Sequence, residues 1–542
     1  MAGRVAVIGA GCSGLTCIKC CLDEGLEPVC FESSDDIGGL WRFKETPEAE
    51  RSSMYRSLVV NTSKEMMCFS DFPIPAHYPN YMHHSKLMNY LRMYAEHFDL
   101  LKYIHFQTTV LSVRQRHDFS HTGQWEVVIE NRDGHKETQV FDGVLVCSGI
   151  FTHPVTPLSA FPGIDTFPGK CCHSWEYKDP NSFRGKRVVV IGNGNSAGDI
   201  AVEISRVAES TFLSMREGAW VVSRLSTGGL PLDMNISTRL NYLLLRVLPN
   251  SLLNWALERL YNQKYNHRLY GLQPRHRILN RVPIVNDDLP GRILQGAVQL
   301  KPNVQEFQGS TVVFDNETIE DRIDAVVFCT GYKPSFPFLL HSKNINPDKE
   351  MSLYKRVFPL YLEKPTLAFI GFLTATGPLM PIMEMQARWA TRIFRGLNHL
   401  PAVSVMKKVT EKTWKANLQR FSCAKTSALI VDFITYLDSV AQEISVRPNL
   451  LWLLLSDPRL GFRVLFGPCT SYQFRLFGPG KWAGARQAIL SQWERVAEPF
   501  KTRPVPEHKS CGFHYWLILA GGMMLTFALV ELQKRNKPFF SI

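Results

Sequence analysis

Two short glycine-rich runs are the parts of this 542-residue sequence whose residue types and spacing could bind phosphate. The first, at 9–14, has the pattern GxGxxG, and the second, at 192–197, has the pattern GxGxxA. Glycines at this spacing allow a tight turn and let backbone N–H groups approach a pyrophosphate at the start of a helix. The candidate cofactor-binding residues in these runs are Gly9, Gly11, Cys12, Ser13, Gly14, Gly192, Gly194, Asn195, Ser196 and Ala197.

The residues that end the next strand differ between the two runs. Glu32 follows the first run by about twenty residues, where a carboxylate can accept hydrogen bonds from ribose hydroxyls. The corresponding strand of the second run ends in Ser214 and Arg216. An acid would repel a ribose 2'-phosphate and an arginine would pair with it. The second run is therefore predicted to bind NADP rather than NAD.

Each glycine run stands between a strand and a helix in the sequence pattern. A β-branched run at 4–8 precedes the first turn, and another strand is predicted at 28–31 after a helical stretch. The second turn follows a strand at 186–191 and precedes a helix at 199–208 and a strand at 211–213. These patterns predict an α/β fold with two Rossmann-like dinucleotide-binding domains.

Two further strands that end in glycine, at 144–149 and 325–331, bracket the second unit. They indicate where the chain passes between domains, so we predict an FAD-binding domain interrupted by an inserted NADP-binding domain. The predicted boundaries are 1–153 and 330–443 for the FAD domain, 154–213 and 296–329 for the NADP domain, 214–295 for a helical insertion, 444–511 for a membrane-proximal region and 512–530 for a transmembrane anchor.

The apolar stretch at 512–530 contains no Asp, Glu, Lys or Arg and is about long enough to cross a bilayer. A buried core helix is the alternative, but the Pro-rich and basic stretch at 501–509 and the terminal position favour a tail anchor. The bulk of the chain would then lie on the cytosolic side. Amphipathic patterns at 240–248 and 252–260 predict helices that either pack or serve membrane contact and substrate access.

The composition excludes several other classes. The formal net charge is +12 but is spread along the chain, which favours attraction to phosphate and lipid over nucleic-acid binding. The 13 cysteines are odd in number and irregularly placed, which favours reduced thiols in a cytosolic environment over a set of disulfides. Cys17 and Cys20 form a CxxC on the first predicted helix, where packing is favoured over a redox role. His83 and His84 are interpreted as surface or capping residues, and no metal site is predicted.

A longer motif connects the sequence to a known family. Residues 167–177, FPGKCCHSWEY, match the FxGxxxHxxxY/F signature of flavin-containing monooxygenases. The chain resembles the mammalian microsomal, membrane-bound members over nearly its whole length. The other segments that carry the resemblance are 38–41, 61–66, 286–288, 386–391, 478–482 and the apolar tail.

The resemblance implies FAD and NADPH as cofactors and places residues around them. It implies that reduced flavin reacts with O2 to give a C4a-hydroperoxide, from which a soft nitrogen or sulfur centre of a small lipophilic substrate, such as a xenobiotic, takes one oxygen. Asn61 would then be catalytic, because its amide can bond to both flavin and retained nicotinamide. The residues implied as further cofactor contacts are Gly39, Leu40, Trp41, Asn61 and Thr62. The implied location is the endoplasmic reticulum membrane, with membrane lipid as a partner.

Two departures from the family pattern bear on the substrate and on protection of the peroxide. Ile150 and Phe151 replace a histidine pair, and Thr374 and Ala375 stand where many relatives have Gln-Pro. Alternatives that remain open are Baeyer–Villiger oxygenation of ketones, an uncoupled NADPH oxidase that makes H2O2, a pyridine nucleotide disulfide reductase, and a membrane-tethered nucleotide-binding protein without turnover. The sequence does not specify the physiological substrate or the oligomeric state.

Overall fold

The structure is a computed structural model that describes residues 3–339, 353–421 and 429–503. Its framework consists of two five-stranded parallel sheets. The chain is therefore an α/β protein.

The described strands are short and are numbered here in chain order. They are β1 Arg4–Ile8, β2 Glu27–Glu32, β3 Ile104–Phe106, β4 Thr109–Gln115, β5 Trp125–Glu130, β6 Lys136–Phe141, β7 Gly143–Val146, β8 His153–Pro154, β9 Lys170–His173, β10 Arg187–Ile191, β11 Ser210–Ser214, β12 Val221–Val222, β13 Ile284–Val285, β14 Val298–Lys301, β15 Val304–Gln308, β16 Thr311–Phe314, β17 Ile319–Glu320, β18 Ala325–Phe328, β19 Tyr332–Lys333, β20 Leu353–Tyr354, β21 Phe358–Pro359, β22 Leu367–Phe369, β23 Thr374–Ala375 and β24 Ile430–Val431.

The described α-helices are numbered in the same way. They are α1 Cys12–Asp23, α2 Lys64–Met67, α3 His84–His97, α4 Phe119–Thr122, α5 Asn195–Ile204, α6 Leu232–Ile236, α7 Arg239–Val247, α8 Asn250–Lys264, α9 Leu289–Leu294, α10 Met380–Phe394, α11 Val403–Arg420, α12 Phe433–Glu443, α13 Leu450–Ser456, α14 Pro458–Phe466 and α15 Ala485–Ala497.

The first sheet has the strand order β22-β7-β1-β2-β3. Its central strand β1 is apolar because both of its faces are covered. Val5 and Val7 belong to the core that α1 and α10 form, whereas Ala6 and Ile8 pack with the antiparallel sheet of β4, β5 and β6. The first glycine run follows Ile8 directly, at the carboxyl edge of this sheet.

The second sheet repeats this arrangement with the order β14-β11-β10-β18-β9. Val188 and Val190 of β10 lie in one core with α5, and Val189 and Ile191 lie in another with β15 and β16. The second glycine run follows Ile191. Because β7 precedes all of these strands and β22 follows them, the second sheet is inserted between two neighbouring strands of the first.

Helix α5 differs from the prediction for this segment. We predict a helix at 199–208, but α5 spans Asn195–Ile204. Gly194 is its N-cap and has extended backbone angles, so the helix starts as soon as the turn ends. Its first backbone N–H groups therefore lie at the glycine turn, where an anion can accept from them.

The leucine-rich patterns at 240–248 and 252–260 correspond to α7 and α8. Across the ranges that the structure describes, no helix has the length and apolarity that a membrane span requires. The predicted anchor at 512–530 lies outside the described residues.

Candidate active site

A large cavity is lined by residues of the first sheet, by Asn195 at the start of α5 and by residues of α6, α7 and α8. Its volume is about 2510 Å³, whereas a drug-sized ligand occupies a pocket of roughly 300–1000 Å³. The predicted site residues in its lining are Gly9, Gly11, Cys12, Ser13, Glu32, Gly39, Leu40, Trp41, Asn61, Thr62 and Asn195. The predicted residues outside its lining are Gly14, Gly192, Gly194, Ser196, Ala197, Ser214 and Arg216.

The first glycine turn leaves little room for side chains. Gly9 has a φ of +99°, which disfavours a residue with a side chain. A Cβ on Gly14 would lie 1.8 Å from the carbonyl oxygen of Gly9, so Gly14 permits close packing of α1 on the turn. Gly11 and Gly39 approach each other so closely that a Cβ on Gly39 would lie 3.1 Å from Gly11 Cα. The turn therefore forms a narrow, side-chain-free cradle that fits a dinucleotide.

Glu32 is buried beside this cradle and its carboxylate is fixed by the protein. Its Oε2 accepts a hydrogen bond of 2.8 Å from the Ala10 backbone N–H. Its Oε1 accepts from Ser34 and lies 3.0 Å from the guanidinium of Arg51. An ionised carboxylate has about four acceptor positions, so Oε2 keeps capacity for a ligand hydroxyl in the cavity.

The second glycine turn also lies close to the backbone that follows a neighbouring strand of its sheet. A Cβ on Gly192 would lie 2.5 Å from the carbonyl oxygen of Cys329, whereas a Cβ on Gly194 would meet nothing within 4 Å. The hydroxyl of Ser214 is buried and donates to Pro302 O at 2.7 Å, so its proton serves the protein rather than a ligand. Arg216 is exposed just beyond β11, whose last residue pairs with the strand that leads into the turn.

Asn61 lies in the cavity wall next to a cation that the sequence did not indicate. Arg224 donates from Nη2 to Asn61 Oδ1 at 2.7 Å and from Nε to Val60 O at 3.2 Å. Its Nη1 pairs with Asp287 at 3.1 Å, and Ser223 also donates to that carboxylate. Asp287 belongs to the segment 286–288 noted for the family resemblance, but no local pattern marks Arg224. The Asn61 amide is therefore held by Arg224, which lies 163 residues further along the chain.

A half-buried acid, Asp233, supports the loop that follows Asn61. Asp233 Oδ2 accepts from the backbone N–H of Ser63 at 2.6 Å, and its Oδ1 accepts from the Tyr81 hydroxyl at 3.2 Å. Burial raises the pKa of Asp233, which these hydrogen bonds oppose. Both Tyr81 and Asp233 line the cavity. The loop at 61–63 is thus anchored to α6.

Apolar side chains of α7 and α8 form one part of the cavity wall, which is called the apolar arm below. The four residues that depart from the family pattern, Ile150, Phe151, Thr374 and Ala375, also lie in the cavity wall. An apolar wall of this kind favours uncharged organic groups as ligands. The residues of the apolar arm are Leu240, Leu245, Leu253, Ala256, Leu257, Leu260 and Tyr261.

The cysteine pair of the CxxC is placed away from this cavity. Cys17 and Cys20 are buried on α1, and the thiol of Cys17 lies 3.5 Å from that of Cys147. Burial raises the pKa of Cys20 to about 12. A thiol with so high a pKa is a poor nucleophile at neutral pH, so packing is the role that these contacts support.

The histidine pair has one capping and one buried member. His83 is the N-cap of α3 and accepts from the Ser85 backbone N–H. His84 is buried, which lowers its pKa, so the prediction of a surface position is wrong for that residue. Within the described ranges, no three His, Cys, Asp or Glu side chains come together as a metal site would require.

Comparison with known proteins identifies the family of this chain. Residues 2–534 match the family model described as flavin-binding monooxygenase-like. The chain belongs to this family. It is 54% identical to mouse flavin-containing monooxygenase 5 over 94% of this chain and 95% of that protein. It is 49% identical to mouse dimethylaniline monooxygenase [N-oxide-forming] 2 over 97% of this chain and 98% of that one.

Solved structures of other oxygenating enzymes show the same fold. The S-allyl-L-cysteine S-oxygenase from Allium sativum has a TM-score of 0.62 at 22% identity and covers 92% of this chain and 99% of its own. The NADP+-bound cyclohexanone monooxygenase from Rhodococcus sp. Phi1 has a TM-score of 0.59 at 16% identity and covers 82% of this chain and 98% of its own. The chain is thus an oxidoreductase, a flavoprotein monooxygenase that uses FAD, NADPH and O2.

Proposed function

We propose that the chain transfers one oxygen atom to soft nitrogen or sulfur centres of small lipophilic molecules, giving N-oxides or S-oxides. The first glycine turn with Glu32 would hold FAD, and the second turn with Arg216 would hold NADPH. The observation that carries the proposal is the continuity of the cavity, which runs from the first turn past Asn61 into the apolar arm.

The protein residues have separate tasks in this proposal. Bound FAD would supply the activation of O2 after reduction by NADPH. The side chains around it would bind and orient the cofactors and the substrate and would exclude water. Asn61, fixed by Arg224, presents its amide N–H groups to the cavity where the two cofactor sites converge. The apolar arm admits an uncharged amine or sulfide without its hydration shell. A soft nucleophile needs no general base, which agrees with an arm lined by leucines.

The test is a product and electron balance on purified protein with FAD. Thioanisole, a tertiary amine and a cyclic ketone are each supplied with NADPH and O2, and products and H2O2 are quantified. We expect sulfoxide or N-oxide in an amount close to the NADPH consumed. Conversion of nearly all NADPH to H2O2 with every substrate would overturn the proposal and identify an NADPH oxidase instead.

A second candidate, ester formation from ketones, is favoured by Arg224. A fixed guanidinium beside the reacting position stabilises negative charge that develops there, and such stabilisation is often a large term in catalysis. The cyclic ketone in the same assay distinguishes this activity. Lactone in excess of sulfoxide would make ketone oxygenation the principal reaction.

We also propose that the chain resides in the endoplasmic reticulum membrane with its bulk on the cytosolic face. Residues 512–530 would form the anchor, and exposed apolar side chains on α13 and α14 would contact lipid. Leu451 is 76% exposed and Leu455 is 86% exposed, and Trp452 and Phe462 are exposed nearby on the same helical hairpin. A net charge of +12 complements anionic lipid.

Membrane attachment is tested on the full chain by alkaline carbonate extraction. The native chain should stay with membranes, whereas Leu519→Lys with Leu525→Lys should be released, because each lysine costs several kcal/mol at the centre of a span. Adding Leu451→Ser and Leu455→Ser should weaken residual binding to phosphatidylserine vesicles, and Leu294→Ser, an exposed position on α9, should not. Release of the native chain by carbonate would refute the anchor.

A further inference from the structure

A segment that leads to Asn61 is bound to the second unit as well as to the first, where Arg51 pairs with Glu32 and Ser52 Oγ donates to Phe151 O at 2.9 Å. The Arg56 backbone N–H donates to Lys178 O at 2.9 Å, and Lys178 Nζ donates to Ser53 Oγ at 2.7 Å. The Trp175 indole donates to Arg51 O at 2.7 Å. Residues 51–61 are called the bridging segment below, because they connect the unit of the first sheet with the unit of the second sheet.

Tyr55 is the residue of the bridging segment that is buried in the core of the second unit. Its ring is buried and belongs to the same core cluster as Val188 and Ile200. Its hydroxyl donates to Asp199 Oδ2 at 2.5 Å, on the second turn of α5. Helix α5 starts at the glycine turn proposed to hold NADP, and its first residue, Asn195, lines the cavity.

The contacts of Asp199 lead back to Asn61 by a second route. Asn286 donates to Asp199 Oδ1 at 2.6 Å, and the adjacent Asp287 pairs with Arg224. Arg224 in turn donates to Asn61, which is at the end of the bridging segment. Tyr55 and Asn61 are therefore connected through Asp199, the adjacent residues Asn286 and Asp287, and Arg224, and α5 is part of this connection.

We propose that Tyr55 is a positioning residue whose hydroxyl, bonded to Asp199, fixes Asn61 relative to the start of α5. This rests on the proposed binding of NADP at the second turn. The bond sets the distance between the amide in the cavity wall and the nicotinamide end of the nucleotide. Its loss lets the bridging segment shift against α5, so bound NADP+ is held less tightly and more of the NADPH is spent on H2O2.

The decisive variant is Tyr55→Phe in the full chain with FAD bound, because it removes one hydroxyl and keeps the buried ring. Loss of a hydrogen bond to a charged group corresponds to roughly a tenfold effect, so we expect the NADP+ dissociation constant to rise about tenfold. The share of NADPH converted to H2O2 should rise several-fold. Amide hydrogen exchange of the bridging segment should speed up in parallel, which is a readout independent of turnover.

Tyr90→Phe is the matched control. Tyr90 is also a buried tyrosine, and its hydroxyl donates to Phe72 O at 2.6 Å, but it lies on α3, outside the bridging segment and α5. This variant should lower the thermal midpoint about as much as Tyr55→Phe and leave NADP+ affinity and H2O2 formation unchanged. Equal effects of the two variants on these quantities would overturn the positioning role.

Asp199→Ala removes the acceptor of the same contact and decides the matter if Tyr55→Phe does not fold. The two substitutions combined should weaken NADP+ binding no more than Asp199→Ala alone, and additive effects would contradict the proposal. The native chain is measured in the same series. Native protein that does not bind NADP+ would refute the cofactor assignment, whereas native binding with unaffected variants refutes only the role of Tyr55.

Discussion

Arg224 is the residue whose contacts join the cavity wall to the loop at 286–288. Replacing it with methionine keeps much of the side-chain length and removes the hydrogen bond to Asn61 and the ion pair with Asp287. We expect product formation by Arg224→Met to fall by about 100-fold, as for other donors fixed beside a reacting centre. Flavin content should change little. Steady-state product formation and flavin absorbance measure the two effects.

Arg206 provides the matched control for this prediction. It forms an ion pair of 2.8 Å with Asp288, the neighbour of Asp287, but both partners are largely exposed. Exposed pairs contribute little, so Arg206→Met should retain product formation within about twofold. If the two methionine variants had the same activity, Arg224 would have no special part in the cavity.

Arg216 sets cofactor preference if the second turn binds NADP. A guanidinium at the end of β11 can pair with the 2'-phosphate, which NADH lacks. We expect Arg216→Ser to lower kcat/KM for NADPH by about 10- to 100-fold and to leave the value for NADH nearly unchanged. Equal losses with both nucleotides would show that the residue acts on the fold rather than on the phosphate.

The two glycine turns make contrasting predictions at the scale of secondary-structure elements. Gly14→Ala places a Cβ 1.8 Å from Gly9 O, so α1 must move away from β1, and we expect protein that retains little or no flavin. The Cβ added by Gly194→Ala would meet no protein atom within 4 Å, so the fold and the flavin content should be retained. The KM for NADPH should rise about tenfold, because the second turn is the proposed NADP site. Flavin absorbance per protein and NADPH saturation curves distinguish the two. Normal flavin content in Gly14→Ala would contradict this account of the turn.

Helix α5 carries an acid whose protonation affects stability. Burial raises the pKa of Glu203, although Tyr177 donates to its carboxylate. The folded state therefore holds this proton to a higher pH than the unfolded state, and the associated stability is lost as pH rises through the raised pKa. Glu203→Gln cannot lose the proton. Its thermal midpoint relative to the native chain should accordingly be higher at pH 8 than at pH 5, and a constant difference would contradict the shift.

Local signals determined what could be predicted about these elements. The glycine turns depend on residues within one strand, one turn and one helix, so both turns and the strands next to them could be predicted from the sequence, whereas most of the shorter strands could not. Helix α5 was predicted four residues too late, because Asn195 and Ser196 suggest loop when tertiary contacts are ignored. The link between Asn61 and Arg224 joins residues far apart in the sequence, and no periodicity marks such a contact.

The whole molecule should unfold as one unit, because Tyr55 of the bridging segment lies in the core of the second unit. Calorimetry of the flavin-bound chain is expected to show a single transition. NADP+ at 100 times its dissociation constant should stabilise the folded state by about 2.7 kcal/mol and shift that transition as a whole. Two separate transitions, with only one moved by NADP+, would show that the units are independent.

The insertion of the second sheet into the first also has a consequence for synthesis on the ribosome. Strand β7 leaves the ribosome early, but its neighbour β22 follows only after every strand of the second sheet. At a synthesis rate of roughly 5–20 residues per second, the edge of β7 that pairs with β22 remains unpaired for on the order of ten to forty seconds. Unpaired edges attract other strands, so the nascent chain is most exposed to misassembly in this interval. We expect the second sheet to be complete, and able to bind its nucleotide, before the first sheet can close.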